Sequence, residues 1–580
     1  MIHALVGVLP QFLFLGLMLA IAYVPLGDWM AKVYQSEKDW AVEKAVYAVL
    51  RVEPKRGQTW KGYSRALLAF SLASILVLYA IQRLQTVLPS WGNPRDEAVE
   101  PYMAFNTAAS FVSNTNWQSY SGEDTLTNGA QMLGLTVQNF ASAAVGLCVA
   151  VALIRGLAHL GYPRDSRVGG GQPGISGGTV PQGLIGNFWV DLTRGLIRIL
   201  LPLSFIVALV LIFLGTMQTF GSNVVTSLGV DIPRAPVASQ EAIKLLGTNG
   251  GGIFGANSAH PFENPTAFTN VIEIWSLLVI SFSMIRTYGT MVGSQKQAYT
   301  LLSVAGGIWA VMVGLVSWAQ DTPVGAAARA AGANMEGIEQ RLGIPASALF
   351  AVSTTGTSTG AVDSMHDSYG PLGGGLLILN MLFGEIAPGG VGTGLYGLLI
   401  VSILAVFIGG LLVGRTPEFL GNKIGKPEIS AVCLYTLTMP ILVLAGVGAS
   451  VARWKLVEDS ATNFGLPGSP NNAHGLSEVL YAFVSASNNN GSAFGGLTVT
   501  DPWWQVTLGL AMLLGRFLPI VFALYLAGSV AEQKRTATTT GSLPTAGATF
   551  ATLTVGVILL VAALTFFPVL TLGPISEALS

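Results

Sequence analysis

The sequence is poor in charged residues. Only 10% of its 580 residues are Asp, Glu, Lys or Arg, whereas soluble domains carry about 25%. The 29 Lys and Arg nearly balance the 30 Asp and Glu, so the formal net charge is -1. That balance gives no electrostatic basis for nucleic-acid binding. The scarcity of charge, together with 51% hydrophobic residues, excludes an ordinary soluble domain and favours a polytopic membrane protein.

Cysteines and nucleotide-binding motifs are also scarce. Cys148 and Cys433 lie within apolar runs, so we expect both to be small buried residues. The apolar run Leu5–Leu26 is too long, and lacks the preceding basic flank, for a cleavable signal. The sequence contains no G-x-x-x-x-G-K-[ST] loop and no DKTGT phosphorylation sequence. We therefore expect this chain to bind no nucleotide.

Long apolar runs are abundant, and each run of about 18 residues or more predicts a transmembrane helix. One run is too long for a single span and is interrupted by glycine and proline. The predicted spans lie near 5–25, 64–84, 131–154, 190–214, 268–290, 298–318, 373–412 (the interrupted one), 430–450, 503–529 and 548–570.

Lysine and arginine cluster in alternate connections, which predicts that those connections are cytoplasmic. Both termini then lie on the outer side of the membrane. The basic connections contain Lys32, Lys38, Lys44, Arg51, Lys55, Arg56, Lys61, Arg155, Arg164, Arg167, Arg286, Lys296, Arg415, Lys423, Lys426, Lys534 and Arg535.

The outer connections share a pattern: a short half-apolar stretch, a polar turn rich in Asn, Thr, Ser and Gly, and then a new span. Four such units indicate a degenerate fourfold repeat. The four stretches are FNTAASFVSNTNWQSYSG from Phe105, EAIKLLGTNGGGIFG from Glu241, ALFAVSTTGTSTGAVDSMHDS from Ala348 and VLYAFVSASNNNGSAFGG from Val479. The predicted segments are 1–63 (first span and basic cytoplasmic segment), 64–156, 157–297, 298–426 and 427–530 (pore repeats 1 to 4, the third with a broken second helix), and 531–580 (C-terminal span).

The repeated turns are suited to holding a cation. Backbone that is neither helix nor barrel persists at membrane depth only where protein buries it or water wets it. Four re-entrant turns around one axis satisfy that condition, and their carbonyl oxygens can replace the water shell of an ion. The turns contain no carboxylate, which a divalent cation usually recruits. The pattern therefore predicts a filter for a weakly hydrated monovalent cation.

Several long motifs together resemble the potassium-translocating A subunit of the bacterial Kdp ATPase. They are GTNGGGIFGANSAHPFENP from Gly247, TGAVDSMHDS from Thr359, GEIAPGGVGTGLYG from Gly384 and NNNGSAFGG from Asn488. The resemblance implies an all-α polytopic fold of about ten transmembrane helices, with four fused span–pore loop–span repeats like those of potassium channels. It also implies a potassium filter formed by Asn114, Thr115, Asn116, Thr248, Asn249, Gly250, Thr359, Gly360, Asn490 and Gly491.

Two positions near the first turn stand apart. The resemblance implies that Gln118, just past that turn, tunes the potassium affinity. Asn116 occupies the position at which the other three turns have glycine. We therefore expect an asymmetric ring in which a side-chain amide of the first repeat stands in for a carbonyl.

The resemblance implies a potassium-binding and translocating role in an ATP-driven, high-affinity uptake complex of the bacterial plasma (inner) membrane. Potassium would enter from the periplasmic side and pass through a tunnel to a partner chain that hydrolyses ATP. The implied partners are a P-type ATPase subunit (KdpB-like), small accessory membrane subunits (KdpC-like and KdpF-like) and the lipid bilayer, with potassium as the transported ion.

The interrupted seventh span predicts a point on the transport path. Proline and clustered glycine between Gly384 and Gly394 cannot continue a helix, and a broken helix at membrane depth marks a transport path. Glu385 in this apolar run requires a partner, and Arg516 of the ninth span is the expected one. The resemblance assigns gating or coupling to this loop, which includes Gly389 and Gly390. The alternative is a salt bridge that merely braces a kink.

Two other functions are compatible with parts of the sequence. A stand-alone Trk/Ktr-like potassium channel or transporter would share the four repeats and need no ATPase partner. A membrane serine hydrolase is a more distant alternative, because Gly356–Gly360 matches G-x-S-x-G around Ser358. His366 with Asp363 or Asp367 would then complete a triad, but the motif requires a preceding strand.

Overall fold

The structure, a computed structural model, describes residues 2–160, 183–322, 334–461, 472–534 and 543–579. Ten helices in these ranges are long and apolar enough to cross a membrane. We number them span 1 to span 10: Gly7–Gln35, Trp60–Arg83, Asn128–Ala158, Phe188–Phe213, Ala267–Val292, Gln295–Asp321, Thr393–Leu412, Lys426–Val451, Pro502–Glu532 and Ala548–Leu572. The all-α polytopic class with about ten spans is confirmed.

Four further helices are called pore helices 1 to 4, and each precedes a polar turn. Their bounds are Pro101–Val112, Val237–Leu246, Gly343–Thr355 and Asn472–Asn488. Each turn leads into a new helix, and two of these helices have side-chain caps: Asp501 accepts a hydrogen bond from the Trp503 N–H at the start of span 9, and Thr266 caps span 5. Such caps satisfy amide groups that a helix start leaves without partners.

The remaining elements are short. The other helices are Ala41–Leu50, Gly122–Thr125, Pro371–Leu382, Trp454–Ser460 and Pro574–Leu579, with 3-10 turns at Asn257–Ala259 and His366–Ser368. Spans 3 and 4 contain π-helical turns at Gln131–Thr136 and Gly195–Leu200. Three antiparallel two-stranded ribbons pair β1 (Gln58–Thr59) with β2 (Leu184–Gly186), β3 (Val224–Val225) with β4 (Asp231–Ile232), and β5 (Glu418–Phe419) with β6 (Asn422–Lys423).

The interruption of the seventh apolar run is also confirmed. The helix Pro371–Leu382 ends before the glycine-rich segment, and span 7 begins at Thr393. We call residues 383–392 the broken-span loop. Its Gly389 and Gly392 have φ of +81° and +78°, a backbone conformation that favours glycine.

Most residues of spans 3 and 5 are buried, whereas in spans 1, 2 and 10 most residues are at least partly exposed. Span 9 packs against span 3 and against pore helices 1 and 4. The last repeat therefore closes onto the first, and the side-chain amide of Asn106 donates to the Gln505 carbonyl across that boundary at 2.8 Å. Cys148 is buried as predicted, but Cys433 is exposed on span 8, because the outer face of that helix is not covered by other spans.

Candidate cation-binding site

The four turns after the pore helices begin with the same backbone conformation. The first residue of each turn is left-handed, with φ between +49° and +65°, which is uncommon for residues other than glycine. These first residues are Asn114, Thr248, Ser358 and Asn489. The residue two positions later, which we call the ring residue, is Asn116, Gly250, Gly360 and Gly491 in turns 1 to 4.

Each turn is also anchored to its own pore helix in the same way. The N–H of the middle turn residue donates to the carbonyl of the residue five positions earlier, at N···O distances of 2.9–3.2 Å. We call that pore-helix residue the anchor residue. The donors and anchors are Thr115 and Ser110, Asn249 and Lys244, Thr359 and Thr354, and Asn490 and Ser485. These N–H groups therefore face the pore helices.

The ring residues of neighbouring turns touch one another. A Cβ added to Gly360 would lie 2.8 Å from the carbonyl carbon of Gly491 and 3.1 Å from the Cα of Gly250. A Cβ on Gly491 would overlap the Thr115 carbonyl oxygen, and one on Gly251 would lie 3.2 Å from the Asn116 oxygen. The turns thus meet in the order 1, 4, 3, 2 and back to 1, which closes a ring.

Turn 1 carries a side-chain amide at its first position and, unlike the other turns, at its ring position as well. The Nδ2 of Asn114 donates to the Thr248 carbonyl at 2.8 Å, which ties turn 1 to turn 2. The Nδ2 of Asn116 donates to Asn139 Oδ1 at 2.6 Å. The Oδ1 of buried Asn116 has no hydrogen-bond partner among the described residues, so this oxygen is available to a ligand.

Gln118 lies beside the ring. Its Oε1 accepts a hydrogen bond from the Gly252 N–H at 2.9 Å, and its Nε2 donates to the Gly252 carbonyl at 3.3 Å. The side chain therefore links the exit of turn 1 to the exit of turn 2. Any effect of Gln118 on ion binding would act through the position of turn 2.

The broken-span loop packs against the ring on the side where the pore helices end. The Gly389 N–H donates to the Gly356 carbonyl at 2.8 Å, and the Val391 N–H donates to Thr248 Oγ1 at 2.9 Å. A Cβ on Gly390 would lie 3.1 Å from the Cβ of Ser358. One loop thus contacts turns 2 and 3 directly.

Glu385 of this loop does not form the predicted ion pair with Arg516. Its carboxylate accepts hydrogen bonds from Ser358 Oγ and, at 2.8 Å, from Asn490 Nδ2. Arg516 Nη2 instead donates to the Ser142 carbonyl at 3.2 Å. Glu385 has a left-handed backbone (φ +49°), and its carboxylate meets neutral donors of turns 3 and 4.

Glu385 and Arg516 nevertheless share one cavity. The cavity has a volume of about 110 Å³ and lies between the broken-span loop, span 8, span 9 and span 10. Its polar lining includes Ser358, Glu385, Tyr396, Tyr435, Asn488 and Arg516. The cavity begins at turn 3 and is large enough for several water molecules.

Comparisons with known proteins identify the family. Residues 13–579 match the family model KdpA, described as potassium-transporting ATPase A subunit. The chain belongs to this family.

Individual members of the KdpA family are similar over nearly their whole length. The "potassium-transporting ATPase potassium-binding subunit" of Mycobacteroides abscessus is 58% identical, with 98% of each chain covered. The proteins of the same name from Rhodococcus opacus and Clavibacter sepedonicus are 58% and 52% identical, over 98% and 97% of each chain. Among solved structures, the potassium transporter TrkH from Vibrio parahaemolyticus is 14% identical, with 88% of this chain and 96% of that chain covered and a TM-score of 0.49.

The serine hydrolase alternative is wrong for this KdpA-family chain. Ser358 Oγ donates to Glu385, whereas His366 Nδ1 bonds to the hydroxyl of Tyr481 at 2.9 Å. Burial lowers the pKa of His366 to about 3. A pore helix, rather than a strand, precedes the motif. Ser358 is therefore the first residue of turn 3 rather than a nucleophile.

Two turn residues were missed by the sequence analysis. Ser358 and Asn489 occupy the same left-handed position as Asn114 and Thr248, yet only the latter two were predicted as filter residues. Aligning the four stretches on the ring residue would have found them.

Proposed function

We propose that this chain is the potassium-binding and translocating subunit of an ATP-driven, high-affinity uptake complex. It takes potassium from the periplasmic side, holds it in the ring and delivers it to an ATPase subunit. The observation that carries this proposal is the closed ring of four non-equivalent turns whose ring and middle residues contain no carboxylate. The names of the KdpA-family relatives, which combine "ATPase" with "potassium-binding", support it.

The chemistry of the ring suits a potassium ion. Neutral carbonyl and amide oxygens compensate for the loss of a weakly held water shell, but not for the tighter shell of a divalent cation. All four pore helices end at the ring, so the negative ends of their dipoles add to the attraction for a cation. The proposed ligand set consists of Asn114, Thr115, Asn116, Thr248, Asn249, Gly250, Thr359, Gly360, Asn490 and Gly491, with Gln118 tuning the affinity.

The broken-span loop is the proposed gate. Its contacts with turns 2 and 3 support a position across the exit from the ring, and the cavity beside Glu385 and Arg516 would offer the next space for the ion. Gly389 and Gly390 allow the loop backbone to approach the turns closely. We assign Glu385, Gly389, Gly390 and Arg516 to gating or coupling between the ring and this cavity.

Partners and location follow from the same proposal. The sequence has no nucleotide-binding motif, so ATP would be hydrolysed by a P-type (KdpB-like) subunit, with KdpC-like and KdpF-like accessory subunits. The chain would span the bacterial inner membrane with both termini outside. A stand-alone Trk/Ktr-like transporter remains the second candidate, since four channel-like repeats alone do not require an ATPase.

Purification of the native complex tests the proposal. An ATPase that co-purifies and is stimulated by micromolar potassium is expected, whereas a chain that purifies alone and carries potassium without ATP would support the second candidate. In the complex, Gly250→Asp places a carboxylate in the ring and should erode the preference for potassium over sodium. Gly229→Asp, in the open turn between β3 and β4, is the matched control. Unaltered selectivity in Gly250→Asp would mean that the filter lies elsewhere in the chain.

A further inference from the structure

The second turn of the ring differs from the other three in the pore-helix residue that anchors it. The anchor residue is a serine or threonine in repeats 1, 3 and 4, but a lysine in repeat 2. Each of these side chains points at its own turn region. The four anchors are Ser110, Lys244, Thr354 and Ser485.

The hydroxyl anchors bond directly to turn backbone. Ser110 Oγ donates to the Trp117 carbonyl at 3.0 Å, and Thr354 Oγ1 donates to the Ala361 carbonyl at 2.5 Å. Ser485 Oγ accepts from the Gly491 N–H at 2.9 Å. In turns 1 and 3 the anchor therefore holds the carbonyl that immediately follows the ring residue.

In turn 2 the equivalent carbonyl belongs to Gly251, and an indirect relay holds it. Asn257 Nδ2 donates to the Gly251 carbonyl at 2.8 Å, and Asn257 Oδ1 accepts from Lys244 Nζ at 3.0 Å. Lys244 is therefore linked through Asn257 to the Gly251 carbonyl. In turns 1 and 3 the hydroxyl of the anchor residue bonds to the equivalent carbonyl directly. Gly251 has a φ of +69°, and without a side chain its peptide is easily reoriented.

The ammonium of Lys244 is neutralised locally. Its Nζ lies 2.7 Å from Glu241 Oε2 and 3.1 Å from Glu263 Oε2, and all three side chains are buried. The Oε1 of Glu263 also accepts from the Phe254 N–H at 3.2 Å, which fixes the loop beyond turn 2. A lysine so compensated can hold the turn without repelling a cation in the ring.

We propose that the relay from Lys244 through Asn257 to the Gly251 carbonyl positions the second turn and sets the ion selectivity of the ring. This inference rests on the proposed potassium function of that ring. The relay keeps the Gly251 carbonyl on Asn257, so that the second turn presents only the oxygens of the proposed ligands Thr248, Asn249 and Gly250 to the ion. When the relay is removed, the Gly251 peptide is free to rotate, and the number and spacing of oxygens around the ion change.

The decisive variant is Asn257→Gly in the whole complex. Asn257 has a φ of +56°, which glycine adopts without strain, and the Lys244 ion pairs with Glu241 and Glu263 remain. Lys244→Met is a second variant, but it leaves two buried carboxylates without their cation and is prone to misfolding. Asn257→Gly therefore removes the relay while keeping the buried ion pairs on which the stability of the fold depends.

The matched control is Ser258→Ala. Ser258 Oγ accepts from Lys244 Nζ at 3.4 Å and donates to Glu241 Oε1 at 2.8 Å, so this control removes hydrogen bonds of the same buried cluster but leaves the bond from Asn257 to the Gly251 carbonyl in place. The measurement is the half-saturating potassium and sodium concentration for ATPase stimulation, from which the potassium-to-sodium preference is calculated. If Asn257→Gly acted only by destabilising the fold, ATPase stimulation by potassium and by sodium would fall together. The ratio of the two half-saturating concentrations would then stay unchanged.

We expect Asn257→Gly to reduce the potassium-to-sodium preference roughly tenfold, which corresponds to the loss of one hydrogen bond, and Ser258→Ala to leave it within about twofold. An Asn257→Gly complex with wild-type preference, beside a Gly250→Asp complex whose preference is eroded, would overturn the relay and leave the proposed function intact. Wild-type preference in both variants would overturn the proposed filter and the relay with it.

Discussion

The ring and the broken-span loop are in contact, yet they are built in opposite ways. Each turn of the ring is fixed by a hydrogen bond from its middle residue to its pore helix, and each ring glycine is hemmed in by a neighbouring turn. The loop is richer in glycine and borders a cavity of about 110 Å³. A Cβ on its Gly384 would meet no described atom within 4 Å. The ring has little freedom to rearrange, whereas the loop has adjacent space.

The ring and the broken-span loop also differ in charge. The ring and middle residues of the four turns are neutral, whereas the loop carries a buried carboxylate at Glu385, within reach of turns 3 and 4. A neutral, confined ring is suited to ion selection, and a loop with a carboxylate beside a cavity is suited to onward passage. Under the proposed function, selection and release would then be performed by different segments.

The largest effect is expected from overpacking the ring with Gly360→Ala. The added methyl would lie 2.8 Å from Gly491 and 3.1 Å from Gly250, so two turns would have to move apart. Such overpacking costs about 1–3 kcal/mol, and we expect potassium affinity in the complex to fall by up to roughly 100-fold. Calorimetric or flux titration with potassium measures it. Gly448→Ala on span 8, where an added Cβ would meet no described atom within 4 Å, is the control, and an unchanged affinity in Gly360→Ala would mean that turn 3 does not confine the ion.

A smaller and different effect is expected from Glu385→Gln in the loop. The amide keeps an acceptor for Asn490 and the shape of the side chain but removes the charge beside the cavity. We expect potassium binding to stay within about threefold and the turnover of potassium-stimulated ATPase to fall about tenfold, a barrier change of about 1.4 kcal/mol.

Glu458→Gln on the exposed helix Trp454–Ser460 controls for a change of net charge. Loss of binding in Glu385→Gln would assign the carboxylate to the ring instead of the loop. Turnover equal to that of the wild type would leave it as a brace of the bend between the helix Pro371–Leu382 and span 7.

The sequence was sufficient for the architecture, because bilayer-length apolar runs and breaks made by glycine and proline are local signals. The break between Gly384 and Gly394 was predicted and lies where expected. The repeated polar turns also indicated that four segments belong together, since the same pattern recurred on each occasion.

Side-chain partners could not be predicted with the same success. Glu385 was matched to Arg516 by charge alone, whereas the structure gives it neutral donors from Ser358 and Asn490. Those donors come from two turns whose approach depends on the packing of all four repeats. The relay from Lys244 to Gly251 was missed for a related reason, because it passes through Asn257, a residue of a loop without regular structure.

The smallest expected effect concerns a clamp that holds the loop after turn 3 from outside the ring. His474 of pore helix 4 donates from Nδ1 to Glu577 at 2.7 Å and from Nε2 to Asp367 at 3.1 Å, and Glu478 lies 4.0 Å away. Burial alone would lower the pKa of His474, but its hydrogen bonds with Asp367 and Glu577 outweigh burial and raise that pKa to about 10.

Because the folded pKa is raised, the clamp stabilises the fold fully below about pH 6.5 and loses that contribution as the pH rises through about 10. We therefore expect the Tm of the complex to fall between pH 7 and pH 10 by about 1 °C or less for each kcal/mol lost, because the entropy of unfolding grows with chain length. In His474→Gln, which cannot become charged, the Tm at pH 7 should already be lower and its dependence on pH flatter. A wild-type pH profile in His474→Gln would mean that another group is responsible. A potassium affinity that stays constant over the same pH range would show that the ring keeps its shape without the clamp, as its internal hydrogen bonds predict.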